Sequence, residues 1–169
     1  MNYNINLIPH KDIGSHNLKK IVGLKMQHWK YSFEEQIKWI ENNLKENDYH
    51  LLLTDNDTSN LIAYMNLVSL VVNYNSSSHQ YFGIGNVCVD KNVNIKGLGL
   101  LIMQISTFIL KQHNIPGILL CKKELIPFYL KTGWMLYSGN CFINKEMFNY
   151  SVFTSIHLPV NEIYIEKSF

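Results

Sequence analysis

The most constraining feature of this chain is the succession of a strand-like segment, a polar loop and a long apolar helix-like segment over residues 86–110. Gly97 and Gly99 lie one residue apart where the helix-like segment begins. Glycine destabilises a helix interior, so its presence twice at this point needs a physical reason. The N-terminus of a helix has unsatisfied N–H groups and a partial positive charge, which together attract anions. The pattern therefore indicates either an anion site or close packing of the helix on a strand.

Two common phosphate motifs do not fit this segment. A Walker loop requires Gly-x-x-x-x-Gly-Lys-[Ser/Thr], which the sequence lacks. A dinucleotide fingerprint requires a third glycine, but Ile102 occupies that position. The basic residues are all lysines, because the sequence contains no arginine. Any phosphate would therefore be bound by backbone N–H groups and lysine rather than by a bidentate guanidinium.

The composition predicts one folded domain over residues 1–169. The hydrophobic fraction is 47%, in the range of globular proteins, and the length is sufficient to bury a sizeable core. The net charge is only +2 and the lysines form no stripe, which argues against nucleic acid as a partner. The N-terminus is too polar for a signal peptide, and no long apolar run predicts a membrane span. We therefore expect a cytoplasmic protein that does not contact membranes.

The three cysteines predict buried free thiols rather than a metal site or disulfides. Cys88, Cys121 and Cys141 lack Cys-x-x-Cys spacing and lie in apolar surroundings. The histidines also lack the spacing of metal ligands, so no metal is expected.

Hydrophobic periodicity predicts an α/β or α+β fold with a mixed sheet. Ser15 is a candidate N-cap, and Ser32 with Glu35 forms a capping-box pattern. An Asp-Asn-Asp turn after residue 54 predicts a β-hairpin. The predicted strands cover 3–8, 49–57, 60–74, 81–90 and 117–121; the predicted helices cover 15–29, 32–47, 97–112 and 124–134; and one or two further strands close the tail.

Two segments resemble the GNAT superfamily of acetyl-CoA-dependent N-acetyltransferases. The sequence "VCVD" (87–90) followed by "NIKGLG" (94–99) is similar to the family's acyl-CoA motif, a strand, a loop and a Gly-x-Gly helix start. Farther along, "ILLC" (118–121) and "PFYLKTGW" (127–134) are similar to its next strand and its short helix with an aromatic–Tyr pair. The resemblance covers nearly the whole chain and implies a mixed, mostly antiparallel central sheet flanked by helices.

The resemblance also implies roles for particular residues. The strand at Val87, Cys88 and Val89 would pair its backbone with the pantetheine arm of acetyl-CoA. The pyrophosphate would be held by backbone N–H groups of Asn94, Ile95, Lys96, Gly97, Leu98, Gly99 and Leu100. Tyr129 would protonate the leaving thiolate, in a reaction in which an amine attacks the thioester directly and no metal takes part.

Three positions depart from the family pattern. Asn94 replaces the usual Gln or Arg of the motif, and Lys122 replaces a frequent Asn. The glutamate that many members place near the start of the central strand is absent, because that strand reads Gly83-Ile-Gly85. The amine proton would then leave through water or through a residue elsewhere, for which the candidates are His28, Glu34, His79 and His157. The alternative is that the chain has no transferase activity.

The junction between the first two predicted helices is the candidate acceptor site. In GNAT-like proteins it commonly borders the acceptor pocket, and here it carries His28, Trp29 and Tyr31. We expect an N-acetyltransferase that acts on a primary amine of a small molecule, as a monomer or homodimer. The alternatives are a non-catalytic GNAT-like acyl-CoA-binding sensor or partner-binding module, and a purely structural interaction domain that binds no CoA.

Overall fold

The computed structural model describes residues 2–167 and 169, which divide into two compact units. Unit 1 comprises Met1–Val68 and Asn86–Ile102, and unit 2 comprises Ser69–Gly85 and Met103–Phe169. The helices are α1 Gly14–Met26, α2 Phe33–Asn43, α3 Leu98–His113 and α4 Ile126–Lys131, with short 3-10 turns at His10–Asp12 and Lys123–Leu125. The strands are β1 Tyr3–Pro9, β2 Tyr49–Asp55, β3 Leu61–Tyr74, β4 Ser77–Val89, β5 Gly117–Cys121, β6 Met135–Leu136, β7 Asn140–Ile143, β8 Glu146–Met147, β9 Ser151–Thr154 and β10 Glu162–Ile165.

Unit 1 contains an antiparallel arrangement in which β2 pairs with β1 on one side and with β3 on the other. The β2–β3 pair is the predicted hairpin, with His50 opposite Asn66. The α2 helix begins as the sequence predicts, because the Ser32 hydroxyl accepts a hydrogen bond from the Glu35 N–H (3.2 Å) and the Glu35 carboxylate accepts one from the Ser32 N–H (2.7 Å). The predicted cap at Ser15 is wrong: α1 already begins at Gly14, with no side-chain cap.

Unit 2 contains β5 to β10 with residues 69–74 of β3 and 77–85 of β4, and the strand order is β6-β9-β5-β4-β3-β10-β7-β8. The β4–β5 and β10–β7 pairs are parallel, and the β5–β9, β6–β9, β10–β3 and β7–β8 pairs are antiparallel. The parallel β4–β5 register runs from Phe82↔Gly117 to Ile84↔Leu119. The mixed, mostly antiparallel sheet flanked by helices that the sequence predicts is therefore confirmed.

The C-terminal part differs most from the sequence prediction. The tail from residue 147 onward contains β9 and β10, in agreement with the one or two closing strands expected there, but the short strands β6, β7 and β8 that precede it were not predicted. The turn between β7 and β8 has positive φ at Asn144 (51°) and Lys145 (68°). His157 lies after β9 and not on a strand. Several helix bounds also shift: α1 and α2 end earlier than predicted, and the predicted helix over 124–134 is a 3-10 turn followed by α4.

Packing explains why glycine, and not the glutamate of the family pattern, occupies the first half of β4. A Cβ added at Gly83 would lie 2.5 Å from Phe169 Cδ2 and 2.6 Å from Leu70 Cδ2. Side chains of unit 2 therefore fill the space that a larger residue would need. Across the described residues, no helix is long and apolar enough to cross a membrane.

Candidate functional site

Asp90 organises the loop between β4 and α3 in unit 1. Its N–H donates to the carbonyl of Ile62 (2.8 Å), which fixes the end of β4. Its Oδ1 accepts hydrogen bonds from the Asn92 N–H (2.9 Å), the Asn92 side-chain amide (3.0 Å) and Gln27 Nε2 (3.1 Å). Such an Asx turn uses side-chain hydrogen bonds to hold the loop backbone in place, and the Asp90 carbonyl also accepts the Val93 N–H (3.3 Å).

The C-terminal end of α1 holds the same loop from the other direction. Gln27 Oε1 accepts from the Lys91 N–H (2.9 Å), and the Gln27 carbonyl accepts from Lys91 Nζ. Sequence reasoning did not identify Gln27, Asp90 or Lys91 as site residues. The Asp-x-Asn pattern directly after a strand was an available signal for the Asx turn, whereas the partner Gln27 is 63 positions away from Asp90.

Gly97 adopts a backbone conformation that favours glycine. Its φ is +89°, and a Cβ added there would meet nothing within 4 Å. Its carbonyl accepts the N–H of Leu101 (2.9 Å), so it lies at the start of α3. Close packing of helix on strand, one of the two explanations for this glycine, is therefore wrong at Gly97, which is exposed. The backbone conformation explains it instead.

The first turn of α3 has the properties of an anion site. The N–H groups of Leu98, Gly99 and Leu100 precede the first residue with an intrahelical acceptor, and the 16-residue helix adds the positive end of its dipole. In the preceding loop Asn94 and Lys96 are exposed and Ile95 is half-buried. The loop thus offers backbone donors and the exposed ammonium group of Lys96, whereas that of Lys91 donates to the Gln27 carbonyl.

The second half of β4 contains a local irregularity. Asn86 has φ +53°, which is unusual inside a strand and re-aims the residues that follow. Its side-chain amide donates to Asn66 Oδ1 (2.7 Å), and Asn66 is fully buried. Asn66 Nδ2 has no hydrogen-bond partner among the described residues. After Asn86, Val87 and Val89 are half-buried and Cys88 is buried.

His28 lies next to this strand. Its Nε2 is 2.7 Å from the carbonyl oxygen of Val89. A carbonyl can only accept, so Nε2 carries the proton, and in the neutral ring Nδ1 holds the lone pair. The structure therefore brings one candidate acceptor-site residue to the predicted cofactor strand. Trp29 contacts the His28 ring (centroids 5.7 Å apart), and Tyr31 is 59% exposed.

The interior of unit 1 holds an unusual group of titratable side chains. Burial lowers the pKa of Lys25 to about 8, and the ammonium lies 4.3 Å from the Trp39 ring centroid. Burial, with the charges of His10 and Lys25, lowers the pKa of His50 to about 3. Burial raises the pKa of Cys88 to about 12, so this thiol is not an activated nucleophile.

These side chains include a hydrogen-bonded series. His10 Nδ1 lies 3.0 Å from His50 Nε2, and His50 Nδ1 lies 2.8 Å from the Tyr64 hydroxyl. Burial raises the pKa of Tyr64 well above its ordinary value. His50 is thus held neutral with both ring nitrogens bonded.

Tyr129 lies on α4 in unit 2 and is buried. Burial, and then the neighbouring Cys121, raise the pKa of its hydroxyl to about 12, so it is protonated at neutral pH. Its ring packs against Phe128 and Phe153, with centroids 5.0 and 5.6 Å apart. Gly133, with φ +84°, follows the end of α4.

The remaining candidates occupy varied positions. His79 lies on β4, with its ring stacked on Tyr74 (3.9 Å, 6° between planes), rather than in an open loop. Glu34, Lys122 and His157 are exposed. The cysteines are free and buried, as predicted. Within residues 2–167 and 169, no three His, Cys, Asp or Glu side chains cluster in a way that would hold a metal ion.

Solved structures with the same fold include several acetyltransferases. A GNAT family N-acetyltransferase (YhbS) from Escherichia coli in complex with CoA has a TM-score of 0.68 at 15% identity, over 98% of this chain and 91% of its own. ElaA from Escherichia coli has a TM-score of 0.65 at 17% identity, over 90% and 99%. Glucosamine-6-phosphate N-acetyltransferase from Arabidopsis thaliana has a TM-score of 0.61 at 19% identity, over 82% and 95%. No protein-family model and no curated protein sequence matches the chain. The fold is that of the GNAT N-acetyltransferases.

Proposed function

We propose that this chain is an N-acyltransferase that moves an acetyl group from acetyl-CoA to a primary amine of a small molecule. The observation that carries the proposal is the loop held by Asp90 and ending in Gly97 with φ +89°, directly before the N-terminus of α3. These features support an anion site without a Walker or dinucleotide motif, in a chain that has the GNAT fold. The CoA bound to the YhbS neighbour supports an acyl-CoA ligand.

The loop and the start of α3 would bind the pyrophosphate of CoA. Backbone N–H groups from Asn94 to Leu100 donate to the phosphate oxygens, and Lys96 adds a positive charge. Because the chain has no arginine, no bidentate guanidinium–phosphate pair forms. Val87, Cys88 and Val89 would contact the pantetheine arm through their backbone.

His28 is the candidate general base. The reaction needs a group that takes a proton from the amine as its nitrogen attacks the thioester carbonyl carbon and the C–S bond breaks. With Nε2–H donated to Val89, the lone pair on Nδ1 is the available proton acceptor of His28. This assignment supplies the base that Gly83 and Gly85 leave missing from the central strand.

Tyr129 would stabilise the leaving thiolate. Its pKa of about 12 makes it a protonated donor but a weak acid. A thiol has an ordinary pKa of about 8.5, so complete proton transfer from this phenol is unfavourable. We therefore assign Tyr129 a hydrogen bond to the thiolate, and solvent completes the protonation.

The acceptor would bind at the junction of α1 and α2. Trp29 offers aromatic surface beside His28, and Tyr31 is an exposed aromatic residue of the same junction, which suits a small amine. The name of the Arabidopsis neighbour, a glucosamine-6-phosphate N-acetyltransferase, supports an acceptor of small-molecule size. The cytoplasmic location and the choice between monomer and homodimer stay predictions from the sequence.

The test is thiol release from acetyl-CoA in the presence of a panel of primary amines. His28→Gln keeps a donor for the Val89 carbonyl but has no basic nitrogen, so it should lower kcat/KM by about a hundredfold or more. It should also remove the acidic limb of the pH–rate profile. Acetyl-CoA binding without turnover for any amine would instead favour the sensor or partner-binding alternative. An unchanged pH–rate profile in His28→Gln would exclude His28 as the base.

A further inference from the structure

Unit 2 contains a cavity that the proposed transferase chemistry does not use. Its volume is about 780 Å³. One wall is formed by residues 73–78, which comprise the end of β3, the turn and the start of β4, and the other is the segment 160–162 with Tyr164 on β10. None of the residues assigned to acyl-CoA, the base or the acceptor lines it.

Two tyrosine rings line this cavity, and each is held by a second aromatic ring. Tyr164 is 42% exposed and stacks on Phe142, with centroids 4.9 Å apart and planes 12° apart. Tyr74 stacks on His79 at 3.9 Å. Stacking fixes the orientation of both tyrosines, so each presents a preformed flat surface.

The rest of the lining is mostly amides and hydroxyls. Ser78 Oγ donates to Asn73 Oδ1 (2.6 Å), and the Tyr164 hydroxyl donates to Glu162 Oε2 (2.7 Å). The Glu162 carboxylate can accept several more hydrogen bonds, and the Asn73 amide nitrogen is a donor. Further polar lining comes from Asn75, Ser76, Ser77 and Asn161.

This set of groups selects one ligand chemistry. Among the residues that the structure describes, the lining includes the Glu162 carboxylate and no lysine or histidine, so it disfavours phosphorylated and other anionic ligands. A purely apolar ligand would leave the amides and hydroxyls without partners. A pyranose ring suits both features, because its hydroxyls exchange hydrogen bonds with amides and carboxylate while its C–H face packs on an aromatic ring.

We propose that this cavity is a carbohydrate-binding site in which Tyr164 is the stacking platform and Glu162 accepts from ligand hydroxyl or amine groups. A second cavity of about 460 Å³ shares Asn73 and Tyr164 with the first and is also lined by the charged residues Lys145 and Glu166. The proposal stands independently of the transferase activity.

The experiment is a ¹H–¹⁵N NMR titration of the full chain with glucose, glucosamine and glucose 6-phosphate. We expect saturable shifts at Asn73, Ser76 and Asn161 with glucose and glucosamine, and weaker binding of glucose 6-phosphate. Tyr164→Ala should weaken sugar binding by about tenfold, the upper range for an aromatic contact. Tyr150→Ala is the matched control, because Tyr150 is 54% exposed and does not line the cavity.

Two conservative variants decide the question even if Tyr164→Ala fails to fold. Tyr164→Phe keeps the ring and should bind glucose within about threefold of the native chain, since the hydroxyl that it removes donates to Glu162 and not to the sugar. Glu162→Gln should remove the preference for glucose over glucose 6-phosphate. Absence of saturable shifts up to about 50 mM sugar, well above weak millimolar affinities, would overturn the proposal. Equal loss of binding in Tyr150→Ala would overturn it as well.

Discussion

The substitution Gly97→Ala, which adds one methyl group, tests whether the positive φ at this position is the reason for the glycine. Gly97→Ala adds a Cβ that meets nothing within 4 Å, so no steric clash accompanies the change. The cost is therefore conformational: placing an L-residue in the left-handed region costs about 1–2 kcal/mol. For a domain of this size each kcal/mol lowers the melting temperature by about 2–4 °C. We expect Gly97→Ala to melt about 2–8 °C below the native chain.

Gly23 provides the matched control. It lies inside α1, and a Cβ there also meets nothing within 4 Å, but its φ is not positive. Gly23→Ala should therefore stabilise the chain by about 0.5–1 kcal/mol through helix propensity. Differential scanning calorimetry of both variants measures the two effects with opposite signs. If Gly97→Ala melts no lower than the native chain while Gly23→Ala is stabilised, the backbone explanation of Gly97 is refuted.

Three further predictions concern the proposed chemistry and the interior. Tyr129→Phe should lower kcat by about 10- to 150-fold, because it removes one hydrogen bond to a charged group, which contributes about 1.5–3 kcal/mol. An unchanged kcat in a steady-state assay would exclude the hydrogen bond from Tyr129 to the thiolate. Because the pKa of His50 is lowered to about 3, the unfolded chain binds a proton below about pH 6.5 that the folded chain does not. The free energy of unfolding in urea should therefore be highest above that pH and about 2 kcal/mol lower at about pH 5. His50→Gln should flatten this pH dependence. A free energy of unfolding that does not change with pH in the native chain would contradict a neutral, hydrogen-bonded His50. Gly117→Ala should lower the free energy of unfolding by about 1–3 kcal/mol. The added Cβ would lie 2.5 Å from Trp134 Cη2 and 2.6 Å from Leu110 Cδ1. An unchanged melting temperature would show that these side chains move aside without cost.

Most helices and strands, and the loop of the candidate site, could be predicted from local sequence patterns. The capping box at Ser32, the hairpin between β2 and β3, and the strand–loop–helix around Gly97 each depend on residues close in sequence. Because these patterns involve residues that are near one another in sequence, they can be recognised in a single sequence. The short strands β6, β7 and β8 could not be predicted, because strands of two to four residues have too little periodicity to identify.

The contacts that complete the site depend on long-range packing. The bonds from Gln27 to Asp90 and from His28 to Val89 join positions more than 60 residues apart. The sequence places His28 near the acceptor pocket only through the family resemblance, and no local pattern identifies the proton on Nε2. The buried group around Lys25 and His50 likewise arises only when α1 packs on the strands of unit 1.

The most direct test of acyl-CoA binding is to measure the melting temperature of the native chain with acetyl-CoA and with CoA, and to compare it with NADH and ATP as control ligands. A ligand that binds only the folded state at about 100 times its dissociation constant adds about 2.7 kcal/mol. That increment corresponds to a rise in melting temperature of about 5–11 °C. We predict this rise in melting temperature with acetyl-CoA and with CoA, and no rise with NADH. The absence of a rise with either CoA species, or an equal rise with all four ligands, would contradict it.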